Sequence, residues 1–200
     1  SGAFTIEAWV YLTSSADSQS IISNYGGQTT GFEIATYNGV WTVNLSGDAA
    51  DITGSIPITV GQWMHVALSG SSGSIKLFIN GVQDGSTYTG AIALDTSTPL
   101  AIGNLYLNGS YYNPLTGYIS NLRLLKGTAL YTSNFTVPTA PLTAITNTSL
   151  LACQSNRFVD NSTNGLFPVF AIIYLFNKSH TNSKVTYIGK FVSPPYRLFF

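Results

Sequence analysis

Only 8% of the residues carry charge, against about a quarter in an average soluble domain. The eight Lys and Arg balance eight Asp and Glu. No basic stripe exists to follow a phosphate backbone, so nucleic acid is not an expected partner. One cysteine, Cys153, rules out an intrachain disulfide and reads as a small buried hydrophobe. The two histidines, His65 and His180, cannot build a triad or a metal cluster by themselves. His65 lies inside an apolar alternating run and reads as a structural hydrogen-bonding group. No GxSxG elbow occurs, which removes the usual signature of serine hydrolases. No run reaches the ~20 apolar residues of a membrane-spanning helix; the longest candidate, residues 166–176, is too short and contains Pro168. Membrane contact is therefore not expected.

Helical periodicity is also missing before Ala129. A period-2 code stands in its place. In residues 62–69, Trp63, His65 and Ala67 alternate with Met64, Val66 and Leu68; in residues 75–80, Ile75, Leu77 and Ile79 alternate with Lys76, Phe78 and Asn80. Such alternation describes strands with one buried face and a mixed outer one. The Ser/Gly run at 69–74 must turn, and Asn80-Gly81 supplies the positive φ angles of a tight type I′ hairpin. Residues 4–12 form a first strand, with Phe4, Ile6, Ala8 and Val10 on one face and Thr5, Glu7, Trp9 and Tyr11 on the other. Further strands are predicted at 19–25, 31–37, 40–45, 91–94, 100–102 and 118–125. Those at 31–37 and 40–45 are joined by Asn38-Gly39, and a looser piece at 52–59 is bent by Pro57. Residues 134–144, with two prolines, read as an extended closing segment. Short strands without βα alternation predict an all-β, antiparallel jelly-roll β-sandwich.

Residues 1–165 hold every acid, whereas residues 166–200 hold Lys178, Lys184, Lys190 and Arg197 and no acid. The division places one domain at 1–165 and an atypical basic, aromatic tail at 166–200, frameshifted or disordered. A chain that opens inside a strand, without Met, reads as a fragment.

The aromatic turns are the candidate binding surface, the alternative being that their side chains cap the ends of the sandwich. Tyr37, Asn38 and Trp41 surround one turn; Tyr106, Asn108, Tyr111, Tyr112 and Asn113 surround another. Rings on turns can stack on the apolar face of a sugar while amides bond its hydroxyls. Of the two, residues 106–113 are favoured, because Asn108-Gly109 presents Tyr111, Tyr112 and Asn113 together and Pro114 limits the exit geometry.

FTIEAWVYLTS at 4–14, ITVGQWMHVAL at 58–68, IKLFINGVQDG at 75–85, LAIGN at 100–104 and the run from Gly117 to Leu142 resemble the laminin G-like branch of the concanavalin A-like lectin and glucanase superfamily. The run from Gly117 through NTSLLACQSNRFVDNST is similar to modules of phage tail and environmental viral proteins. The resemblance implies a jelly-roll binding module, truncated before its first strand. Its implied ligand is a glycan or a host cell-surface molecule, its setting a virion or extracellular surface, and its other partners the structural proteins of the parent assembly. Glucanases of the superfamily pair carboxylates about 5–5.5 Å apart; Glu7 and Glu33, the only glutamates, stand on separate strands. A noncatalytic module without cofactor is expected, with a structural spacer as the alternative. Calcium, which some relatives bind at a loop edge, would draw on Asp84, Asp95 and Asn104, but no metal site is assigned.

Overall fold

The computed structural model describes residues 2–163, apart from 16, 27–29, 46–48, 72, 91, 93–97 and 158. The expected tail at 166–200, most of the 91–94 strand, and Asp95 lie outside the described residues. The strands are β1 Phe4–Leu12, β2 Ser18–Ser23, β3 Glu33–Tyr37, β4 Val40–Asn44, β5 Ile52–Pro57, β6 Trp63–Ser71, β7 Ser74–Ile79 and β8 Val82–Tyr88. They are followed by β9 Ala101–Ile102, β10 Leu105–Leu107, β11 Ser110–Tyr112, β12 Gly117–Lys126 and β13 Thr148–Ala152. A six-stranded sheet runs β13-β12-β1-β6-β7-β8, and a five-stranded sheet runs β5-β4-β3-β2-β9. All named strand pairs are antiparallel. The all-β jelly-roll sandwich expected from the alternation is the observed architecture.

Hairpin geometry follows from the turn dipeptides. Asn38-Gly39, Asn80-Gly81 and Asn108-Gly109 all have positive φ at both positions, from 49° to 81°, the conformation whose twist matches that of paired strands. The first two join β3 to β4 and β7 to β8 in the expected register. Gly81 has a second reason to be glycine, since a Cβ there would collide with the Phe135 carbonyl oxygen.

The core lies between the sheets. Ile6, Ala8 and Val10 of β1, Met64, Val66 and Leu68 of β6, and Ile75, Leu77 and Ile79 of β7 face Ile34, Val43 and Ile52 of the other sheet. Burying such side chains contributes about 1.5–3 kcal/mol each. The outer face of the six-stranded sheet departs from expectation, because Thr5, Glu7, His65, Ser69 and Phe78 are buried there too. Residues 128–143 cross it as an irregular closing segment. The Thr5 hydroxyl donates to the Thr128 carbonyl, the Tyr131 amide donates to Ser69 Oγ, and the Phe135 amide donates to the Gly81 carbonyl. The Tyr131 and Phe135 rings stack 3.6 Å apart at 7° and meet Phe78 edge-on. A mixed outer file read from residues 75–80 alone could not show this second layer.

Two edges are managed explicitly. Beside β13, the Asn161 amide donates to the Leu151 carbonyl, and Asp160 Oδ1 accepts from the Leu151 amide. At the opposite side, Asp84 of β8, 1% exposed, accepts from the Ser55 amide at 2.6 Å and the Ile56 amide at 3.1 Å, tying β8 to β5 and thus one sheet to the other. Removing this carboxylate leaves two β5 amides without their acceptor. At about 1.5–3 kcal/mol per charge-assisted bond, Asp84→Ala is expected to lower stability by about 3 kcal/mol or more. Urea unfolding followed by fluorescence checks this, and a change under about 1 kcal/mol would contradict the clasp.

Candidate functional site

The turn at residues 106–113 is a complete small hairpin. Leu105 pairs with Tyr112, Tyr106 with Tyr111 and Leu107 with Ser110. Its root is fixed to the five-stranded sheet. The Asn113 carbonyl accepts from the Ser20 amide at 2.8 Å, the Leu115 amide donates to the Gly103 carbonyl at 2.8 Å, and the Thr116 amide donates to Gln19 Oε1 at 2.7 Å. Its tip is open: Tyr111 is 38% and Tyr112 48% exposed, and Asn108 is exposed at the turn. Tyr106 is half-buried, its ring tilted 59° against Tyr111 at 5.0 Å. A fixed root with projecting rings suits stacking, because little loop freedom remains to be lost on binding.

The second aromatic turn is only partly as expected. Tyr37 is 54% exposed and Asn38 is exposed beside it. Trp41 is not a surface ring. It is 0% exposed and belongs to the core, because Asn38-Gly39 ends the exposed part of the hairpin and Trp41, opposite Thr36, has already turned inward. Both turns are tied to β2. Tyr37 lies opposite Ser18 on one side of β2, and Asn113 is bonded to Ser20 on its other side. That separates them by two strand spacings, about 10 Å.

On the same face of this sheet the neighbouring residues are small and buried: Ser20 pairs with Ala35 and Ala35 with Thr42. One step along, Glu33 sits between Ser23 and Asn44 and is 5% exposed. Its Oε2 accepts from the Asn44 side chain at 3.2 Å. Burial raises the Glu33 pKa, and hydrogen bonding to Ser20 and Asn44 offsets this only in part. No second carboxyl stands on its strand.

Glu7 has a different environment. Its Oε2 accepts from Tyr131 Oη at 2.8 Å and lies 3.1 Å from His65 Nε2, while Oε1 accepts from Arg123 Nε at 2.8 Å and from Nη2. Burial alone would raise its pKa; the His65 hydrogen bond, the Arg123 charge and the Tyr131 hydroxyl outweigh burial and hold it below the usual range. With both oxygens occupied beneath the closing segment, Glu7 is a structural hub. Tyr131 is correspondingly raised, by burial and by the Glu7 charge. Burial pushes the Cys153 thiol up to about 12, leaving it an inert core group. Of the weighed calcium ligands, Asp84 serves β5 as described and Asn104 is buried. Among the described residues no three His, Cys, Asp or Glu side chains gather as a metal set.

Two antiparallel sheets around a shared core define a jelly-roll β-sandwich. The chain belongs to the laminin G-like family of the concanavalin A-like lectin/glucanases superfamily, whose family model matches residues 1–132. Strand β13, beyond that match, pairs with β12 in the same sheet. A Bacteroides ovatus protein described as a putative carbohydrate binding protein is similar in fold, at 18% identity and a TM-score of 0.57, over 82% of this chain and 50% of that one. The native heptameric SAP-like pentraxin of Limulus polyphemus is similar at 20% identity and a TM-score of 0.50, over 65% of this chain and 66% of that one. The chain thus spans about half the length of the first of these structures. No curated protein sequence matches.

The two glutamates give stability pH dependences of opposite sign. Glu7, lowered in the folded state, stabilises fully above the ordinary carboxylate range, and this is lost as pH falls through its folded value. Glu33, raised in the folded state, favours folding most below that range, and this is lost as pH rises through its folded value. Glu7→Gln is expected to destabilise at neutral pH and Glu33→Gln to stabilise there. Denaturant unfolding across a pH series checks both; a Glu33→Gln protein less stable than the parent at neutral pH would refute the assignment for Glu33.

Proposed function

We propose that the chain is a noncatalytic carbohydrate-binding module of a larger viral or phage tail or surface protein. In this reading it contacts host cell-surface glycans. The observation that carries the proposal is the rooted hairpin, which displays Tyr111 and Tyr112 beside Asn108 and Asn113, with Tyr37 across β2. Sugar rings stack on the tyrosines while the amides bond hydroxyls. The noncatalytic part rests on the carboxylates. Glu7 is engaged on both oxygens under the closing segment, and Glu33 has no partner carboxyl on its strand, whereas retaining hydrolysis needs two at about 5–5.5 Å. The viral setting rests on the resemblance of the run from Gly117 onward, and it makes the other structural proteins of that assembly neighbours of the module.

One or two stacked rings with a few amide hydrogen bonds contribute only a few kcal/mol, so single-site affinity is in the roughly millimolar to micromolar range. Many copies on one surface convert this to useful avidity. A glycan array probed with the multimerised protein is expected to give a signal that Tyr111→Ala and Tyr112→Ala each reduce about tenfold. Silence on the array, or a signal indifferent to both substitutions, would favour a structural spacer. Turnover of β-glucans, lost on Glu33→Gln, would overturn the noncatalytic reading.

A further inference from the structure

The closing segment does not cover the whole outer face of the six-stranded sheet. Along β1 the outward residues pass from Thr5, 0% exposed, and Glu7, 1% exposed, to Trp9 and Tyr11, both half-buried. Tyr11 lies opposite Trp63 of β6 and Tyr118 of β12, so three aromatic rings form one row across three adjacent strands. Their centroids are 5.5 Å apart between Tyr11 and Trp63 and 5.8 Å between Tyr11 and Tyr118, with tilts of 59° and 56°. All three are half-buried. The Tyr11 hydroxyl passes near Gly61, where even a Cβ would remain 3.8 Å away.

We propose that the row Tyr118–Tyr11–Trp63 is a second binding site, taking a neutral polysaccharide chain. It lies on the sheet opposite the hairpin and does not depend on the hairpin's role. The row spans two strand spacings, about 10 Å, enough for more than one stacked ring. The exposed residues flanking it along the strands, Thr13, Gln62 and Thr116, offer hydroxyls and an amide and carry no charge, so among these described neighbours an anionic chain finds no cation. A second copy of the protein fits poorly. Aromatic side chains present about 150–250 Å² each when fully open, so three half-buried rings fall short of the ~800 Å² per partner of a stable interface.

The test is native affinity electrophoresis of the full chain through gels holding laminarin, arabinoxylan or galactomannan as neutral probes and polygalacturonate as the anionic one. At least one neutral gel is expected to retard the protein more than polygalacturonate does. Trp63→Ala and Tyr118→Ala are each expected to weaken the apparent affinity about tenfold, Trp63→Phe to keep most of it, and the Tyr111→Ala/Tyr112→Ala double variant to remain retarded. Circular dichroism of each variant confirms folding; should Trp63→Ala unfold, Tyr118→Ala and Trp63→Phe decide. No retardation by any neutral polysaccharide, equal retardation by polygalacturonate, unchanged retardation of Tyr118→Ala, or complete loss in the hairpin double variant overturns the site. The hairpin proposal is read separately on the array.

Discussion

A buried carboxylate at the centre of the six-stranded sheet organises the layers of this protein. Glu7 sits on β1, flanked by β6 and β12, and gathers His65, Arg123 and Tyr131 from both neighbours and the closing segment. A charge taken out of water at this depth is tolerated only when its lone pairs are met by donors. Those donors come from residues 58 to 124 positions away in the chain. The ion cannot be satisfied until the sheet is in register and residues 128–143 are laid over it, so the network specifies which arrangement is native. Arg123 extends it by donating from Nη1 to the Thr143 carbonyl, fastening the segment near its far end.

That layer partitions the outer surface. Where residues 128–143 lie, the sheet's outward side chains behave as core, and Phe78 packs against Tyr131 and Phe135 as it would between two sheets. Beyond them Tyr11, Trp63 and Tyr118 reach the surface. The five-stranded sheet has its own arrangement, with small residues along β2, β3 and β4 and the hairpin anchored at one side of β2. Both aromatic surfaces are therefore positioned by backbone pairing, which fixes side-chain spacing more firmly than a free loop.

Much of the architecture was legible in local chemistry. Asn-Gly pairs gave the hairpins because few other dipeptides accept two positive φ angles, and alternation in β1, β6 and β7 gave the inner face. What the chain order hides is contact at long separation. Trp41 looked like a turn residue by proximity to Asn38-Gly39, yet two residues past that turn the strand had already turned its side chain to the core. Glu7 could be placed on an outward face from its parity, but its burial depends on Tyr131, 124 positions later. Strand β13 was missed as a strand because its five residues carry too short a pattern to separate from the polar run around them. The aromatic row escaped for a related reason: Trp9, Tyr11 and Trp63 were visible as outward residues, and only the register of β1 with β6 and β12 makes neighbours of Tyr11, Trp63 and Tyr118.

The hairpin of β10 and β11 divides labour between its two ends. Its root is held by main-chain groups and by Gln19, a residue from another strand, while its tip contributes little to the core. Substitutions at the tip can therefore accumulate with small effect on folding, each new set of side chains being presented on the same fixed stem. The tip can vary at a few positions while the sandwich beneath need not change to follow it.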